Sequence, residues 1–214
     1  GARRPGWEAP LHLSSYLGGL WDLGGNIVGI TNQVSIGDLD PPSSGLEIVF
    51  AGFDGKIYAV RRDRTLAWSF TYTIDANVFT GGVALADLSG DGRPEVIFNS
   101  YSSSTGKGDL FVLGPNGALQ HRIPLPDRGA MPVPTVADVD GGGNGTLEIV
   151  VSLKDGVDHV RQVLVYTVPG SAENCLPWPT GRGNYLRNGF SAFLPAAPLF
   201  ADGFESGNLT AWSG

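Results

Sequence analysis

Cysteine is almost missing from this sequence. Cys175 stands alone in 214 residues, so no disulfide can form within the chain, and the fold must rest on core packing with metal as a further brace. Lysine is scarce, at Lys56, Lys107 and Lys154 only, and the formal net charge is −7. With no basic stripe the chain lacks the electrostatic footprint of a nucleic-acid binder. No run of about 18 apolar residues occurs, so no membrane-spanning helix and no membrane insertion is expected. Sustained 3.6-residue periodicity is missing too, and almost no helix is expected. Catalytic groupings are thin. His12, His121 and His159 are scattered without metal-ligand spacing, Cys175 has no base beside it, and the serines include no Gly-x-Ser-x-Gly elbow. Glycine-rich pieces such as Gly141–Gly145 open no helix, which argues against a phosphate cradle. These gaps point away from an enzyme.

Glycine and proline are plentiful, at 32 and 15 residues, without a collagen period. That composition suits short strands joined by tight turns, and a 42% hydrophobic content is enough to build a core. Strands are expected at Glu47–Ala51, Lys56–Val60 and Leu66–Thr71, with Asp54-Gly55 as a hairpin turn. A second set is expected at Val83–Leu88, Glu95–Asn99, Asp109–Leu113 and Leu119–Ile123, with a turn at Pro115-Asn116-Gly117. A third set covers Thr135–Val139, Glu148–Leu153 and Gln162–Thr167. Trp68, Phe70, Tyr72 and Phe79 alternate along one piece of chain. They fit packing between sheets better than a sugar-stacking surface.

The most informative stretch is Val83–Glu95. An apolar run leads into Asp87, Ser89 and Asp91, then Gly92 and Glu95, then Val96-Ile97-Phe98. Oxygen side chains at alternate positions, with a glycine that permits the chain to reverse, suit a hard cation such as Ca²⁺, which takes six to eight oxygen ligands. The stretch recurs as Asp38-Leu39-Asp40 followed by Glu47, and as Asp138-Val139-Asp140 followed by Asn144 and Glu148. Successive first aspartates lie about 50 residues apart, the period of a solenoid, propeller or array.

Asp87-Leu88-Ser89-Gly90-Asp91-Gly92-Arg93-Pro94-Glu95 resembles the calcium loop of the FG-GAP/VCBS-type repeat, found in integrin-like β-propellers and many secreted bacterial proteins. The resemblance spans roughly residues 34–168. It implies an all-β fold of propeller blades: three recognisable four-stranded repeats and an N-terminal partial blade. A β-sandwich is the competing all-β architecture. It also implies Ca²⁺ held by Asp87, Ser89, Asp91, the Arg93 carbonyl and Glu95. In the third loop Asp138, Asp140, Asn144 and Glu148 take those places once two residues of Gly141-Gly142-Gly143 are looped out. The first loop keeps Asp38, Asp40 and Glu47, but Pro41-Pro42-Ser43-Ser44 replaces the glycine turn, so a filled and an empty site both stay open.

The expected organisation is a lead-in or partial blade over 1–30, repeats over 31–80, 81–130 and 131–174, a closing segment over 175–194, and a linker with a tail or further module over 195–214. Pro177-Trp178-Pro179 and Gly183–Gly189 resemble the segment that closes many bacterial proteins of this repeat type, with the tryptophan as a buried plug. Closed propellers use about 4–8 blades. The chain is therefore expected to be part of a larger propeller or to be completed by a homo-oligomer. The resemblance implies a secreted or cell-surface module that binds a protein or polysaccharide surface. A structural subunit of an extracellular assembly and an accessory part of a polysaccharide-active enzyme are the rival readings.

Overall fold

The structure is a computed structural model that describes residues 5–9, 11, 30–40, 45–126, 128–140, 146–154, 162–171 and 176–184. All of its regular structure is β, as the periodicity implied, and no helix occurs among the described residues; none of the described residues forms a helix able to cross a membrane. The strands are β1 Ile30–Gly37, β2 Glu47–Gly52, β3 Lys56–Arg61, β4 Leu66–Thr71, β5 Val78–Phe79, β6 Ala84–Ala86, β7 Glu95–Asn99, β8 Tyr101–Ser102, β9 Asp109–Leu113, β10 Leu119–Pro124, β11 Thr135–Ala137, β12 Leu147–Ser152 and β13 Val163–Val168.

They form antiparallel sheets of two to four strands. The first has the order β1-β2-β3-β4, the second β6-β7-β9-β10, the third β11-β12-β13, and β5 pairs with β8 as a small separate ribbon. Each larger sheet is an antiparallel meander, in which β2–β3, β3–β4 and β9–β10 are joined by tight turns and the other described links are longer. Gly55 and Gly117 sit in two of those turns at φ +77° and +80°, where a residue with a Cβ would be strained. Among the described residues the third sheet has three strands rather than the expected four.

In the second sheet, β6, β7 and β9 are buried on both faces. In β7, Val96 and Phe98 turn toward the first sheet and meet Val49, Ile57, Ala59 and Tyr72. Ile97 turns the other way and, with Leu110 and Val112, meets Val136, Leu147, Ile149 and Val151 of the third sheet. That is why Glu95–Asn99 carries an unbroken apolar centre rather than an alternation. Phe98 and Phe111 stack with centroids 4.7 Å apart and an interplanar angle of 4°; Tyr72 and Phe70 close on them edge-on. Trp68 donates its indole N–H to the Pro115 carbonyl at 2.8 Å. Trp68, Phe70 and Tyr72 thus join the first sheet to the second, as expected of packing aromatics. The edge strand β10 is exposed throughout; its Arg122 pairs with Asp109 at 2.8 Å and covers the Phe111 ring.

The opening strands of the three larger sheets converge. β6 touches both β1 and β11. Between them runs the closing segment: Leu85 and Trp178 exchange backbone hydrogen bonds, and the Val136 N–H donates to the Pro179 carbonyl at 2.8 Å. Trp178 is buried in the cluster shared by the first two sheets. A Cβ on Gly37 would meet Leu85 at 2.8 Å and Pro177 at 3.5 Å, so the glycine there permits the close approach.

Candidate metal centre

Each of β1, β6 and β11 runs directly into one of the three acidic loops, and each loop returns through β2, β7 or β12. One contact repeats in all three. Glu47 accepts the Leu39 N–H at 2.9 Å, Glu95 accepts the Leu88 N–H at 2.7 Å, and Glu148 accepts the Val139 N–H at 2.9 Å. In each case the glutamate is the first or second residue of the returning strand, and the amide belongs to the residue after the first aspartate. All three glutamates are buried; the first two of these charge-assisted bonds are buried as well and the third is partly so. The sequence period of about 50 residues is therefore matched by a repeated piece of geometry.

The loops differ in what their carboxylates do. In the third, Asp138, Asp140 and Glu148 bring carboxylate oxygens within 4.8 Å of one another, and they form the one such cluster among the described residues. Three converging carboxylates, one buried, one half-buried and one exposed, have the donor set of an oxygen-binding cation site. Asn144 and its glycine-rich neighbours lie outside the described residues.

In the second loop the carboxylates are spent largely on the loop's own backbone. Asp87, fully buried, accepts the N–H groups of Gly90 and Gly92, both at 2.7 Å, one on each oxygen, and the Ser89 hydroxyl lies 3.4 Å away. Gly90 and Gly92 have φ of +76° and +83°, the left-handed backbone that turns those amides inward. Asp91 accepts the Arg93 N–H at 2.8 Å. Asp87, Asp91 and Glu95 do not converge as the third loop's acids do. They still feel one another: burial pushes the Glu95 carboxyl above its usual range, the Leu88 amide and Gln120 oppose that, and Asp87 and Asp91 add to it.

The first loop is tied to the second. The Arg93 guanidinium reaches Asp40 at 2.9 Å, placing a covalently attached cation on one of the expected metal ligands. The Asp40 N–H donates to Asp38 at 3.1 Å. Burial, more than the neighbouring Asp40 charge, raises the Asp38 carboxyl. Residues 41–44 lie outside the described residues.

Two participants escaped sequence reasoning. Arg93 was expected to act through its carbonyl, whereas its side chain links two loops 53 residues apart. Gln120, on β10, brings its amide to within 3.5 Å of Glu95. Gln120 lies outside the repeated loop, and the other two loops have Gly45 and Thr146 where the second has Arg93, so the loop period carries no trace of either side chain's contact. Of the remaining candidates, His121 is exposed on β10, while His12, His159 and Cys175 fall outside the described residues. No family model and no curated protein matches the chain.

Proposed function

We propose that this chain is a calcium-binding β-propeller module of a secreted or cell-surface protein, acting by adhesion or recognition rather than by catalysis. The observation that carries the reading is the threefold clasp: Glu47 on Leu39, Glu95 on Leu88 and Glu148 on Val139. A repeated loop closed by a repeated buried carboxylate, at the same place in three successive sheets, is what blades of one design would have. The convergence of β1, β6 and β11 supports blades around a shared axis over a two-sheet sandwich. In this reading Ca²⁺ sits first in the third loop, on Asp138, Asp140 and Glu148, where it offsets the repulsion among them and fixes the turn between β11 and β12.

Calcium titrated into metal-free protein tests this by calorimetry and thermal melting. The wild type should bind and melt higher with calcium; at a calcium level 100 times Kd the gain is about 2.7 kcal/mol. Asp140→Asn, at an exposed position, should keep the metal-free melting temperature and lose most of the calcium gain. A melting curve unchanged by calcium or chelator in the wild type sinks the assignment.

A second reading, that copies of the chain associate through an end blade, draws on one feature. β13 is an outer strand whose Val163 and Val165 are exposed while Leu164, Tyr166 and Val168 pack inward. Sedimentation or light scattering distinguishes the two, because a monomer at high concentration excludes the assembly.

A further inference from the structure

The acidic loops follow the C-terminal ends of β1, β6 and β11. At the other end of those strands, a cavity of about 450 Å³ opens. That volume lies in the range of small-molecule sites. Its described lining includes Gln33 from β1, Met131 and Val133 ahead of β11, Thr135 at its start, and Thr180 and Arg182 from the closing segment. Four stretches far apart in sequence therefore meet there, the fourth being the Gly81 turn before β6.

The side chains of the lining offer several donors. The Gln33 Nε2 is buried and has no hydrogen-bond partner. Its side chain is held between two glycines: a Cβ on Gly82 would lie 2.9 Å from Gln33 Cγ, and one on Gly181 would lie 3.0 Å from its Oε1. The Thr135 and Thr180 hydroxyls share one hydrogen bond at 2.9 Å, which leaves the second of their two protons to donate elsewhere. No aspartate or glutamate is among the described lining residues, so this lining is cationic on a chain whose net charge is −7.

Arg182 is the sharpest observation. The Gly183 N–H donates to the Thr180 carbonyl at 3.0 Å, closing a turn whose third residue is Arg182 at φ +88°. Such a turn asks for glycine at that place, and glycine stands on both sides of it. An arginine there costs backbone strain and returns only its side chain. Among the described residues no carboxylate pairs with its guanidinium. Strain kept at the rim of a cavity is a mark of a working residue.

We propose that this cavity binds a small carboxylate-bearing ligand of the size and chemistry of a hexuronic acid. The Arg182 fork takes the carboxylate, Gln33 Nε2 and the free threonine proton take ring or hydroxyl oxygens, and Met131 with Val133 covers the apolar face. The inference does not depend on the metal reading, because none of these residues belongs to an acidic loop.

The test uses the full chain, with D-glucuronate as probe and D-glucose as its uncharged counterpart, read by calorimetry. Glucuronate should bind at least about tenfold more tightly than glucose, the difference that one charge-assisted contact makes. Arg182→Gly should abolish that preference while leaving the melting temperature unchanged or higher, since glycine relieves the positive φ. Arg182→Lys should retain part of it. Its calcium response should stay that of the wild type, which separates failure here from failure of the acidic loops. Equal binding of both sugars, binding of neither at millimolar concentration, or glucuronate binding untouched in Arg182→Gly overturns the proposal.

Discussion

Leu85 and Trp178 face each other as an antiparallel pair: the Leu85 N–H donates to the Trp178 carbonyl at 2.8 Å, and the Trp178 N–H returns to Leu85 at 3.1 Å. A segment that follows all three repeats thus inserts beside the opening strand of the middle one. The tryptophan packs with Leu39, Val49 and Leu85, so it seals the place where the sheets meet. Trp178→Ala should cost about 3–5 kcal/mol, the usual range for emptying a buried aromatic site. Urea unfolding would measure it, and the loss should be the same with calcium or chelator present, because the cluster around the tryptophan contains no residue of the third loop, where calcium is placed.

The glutamate clasps separate charge from hydrogen bonding. Glu148→Ala leaves the Val139 amide without its acceptor and should cost about 1–3 kcal/mol even in metal-free protein. Glu148→Gln keeps a carbonyl oxygen for that amide and should restore most of the metal-free stability, yet still weaken calcium binding. Equal stability losses for both variants would mean that the carboxylate charge, not the clasp, holds the turn. Asp87→Ala is a poor reporter of metal by contrast. Its two amide bonds predict destabilisation with and without calcium.

Glu95 sets a pH dependence. Burial first, then Asp87 and Asp91, raise its folded-state carboxyl above the unfolded value, so ionising it disfavours the fold. The penalty is full above the raised folded-state value and disappears as pH falls below the unfolded one near 4.3. In chelator, Glu95→Gln should therefore match or exceed the wild type at pH 7, and the difference should shrink as pH drops through that window. Paired melting curves across pH 3–7 check this. A gap that widened toward acid would reverse the sign and count against the repulsion.

The strands were legible where side chains alternate against a turn signal. Glu47, Lys56, Leu66, Glu95, Asp109 and Leu119 each begin a strand where the pattern had placed one. The strand Ile30–Gly37 was not legible as such: Thr31-Asn32-Gln33 interrupts its apolar pattern, and its pairing with β2 shifts register between Ile30 and Val34. The two-residue strands β5 and β8 are too short to show any period. At the loops, the sequence indicated which residues carry oxygen but not where the oxygens point. Asp87 and Asp138 hold equivalent positions, yet Gly90 and Gly92 occupy the first with backbone amides while the second turns toward Asp140 and Glu148. The Arg93–Asp40 pair and the cavity beneath β1, β6 and β11 depend on contacts between repeats, which a local pattern does not contain.

Gly108 gives the most severe prediction, because the backbone crowds it rather than any flexible side chain. An added Cβ would lie 1.8 Å from the Ser100 carbonyl oxygen and 2.9 Å from the Gly129 Cα. The surrounding bonds hold all three pieces of chain in place: the Ala130 N–H donates to Ser100 at 2.9 Å, and the Leu125 N–H to Gly108 at 2.9 Å. Relief therefore requires the Tyr101–Gly108 excursion to separate from the 125–130 crossing. Gly108→Ala should cost about 3 kcal/mol or more, at the upper end for overpacking. Gly170→Ala is the matched control: φ is +79° there but nothing lies within 4 Å, so only the left-handed strain of about 1–2 kcal/mol applies. Chemical denaturation of the two variants should rank them in that order; a milder effect at Gly108 than at Gly170 would show that the 125–130 crossing yields without loss.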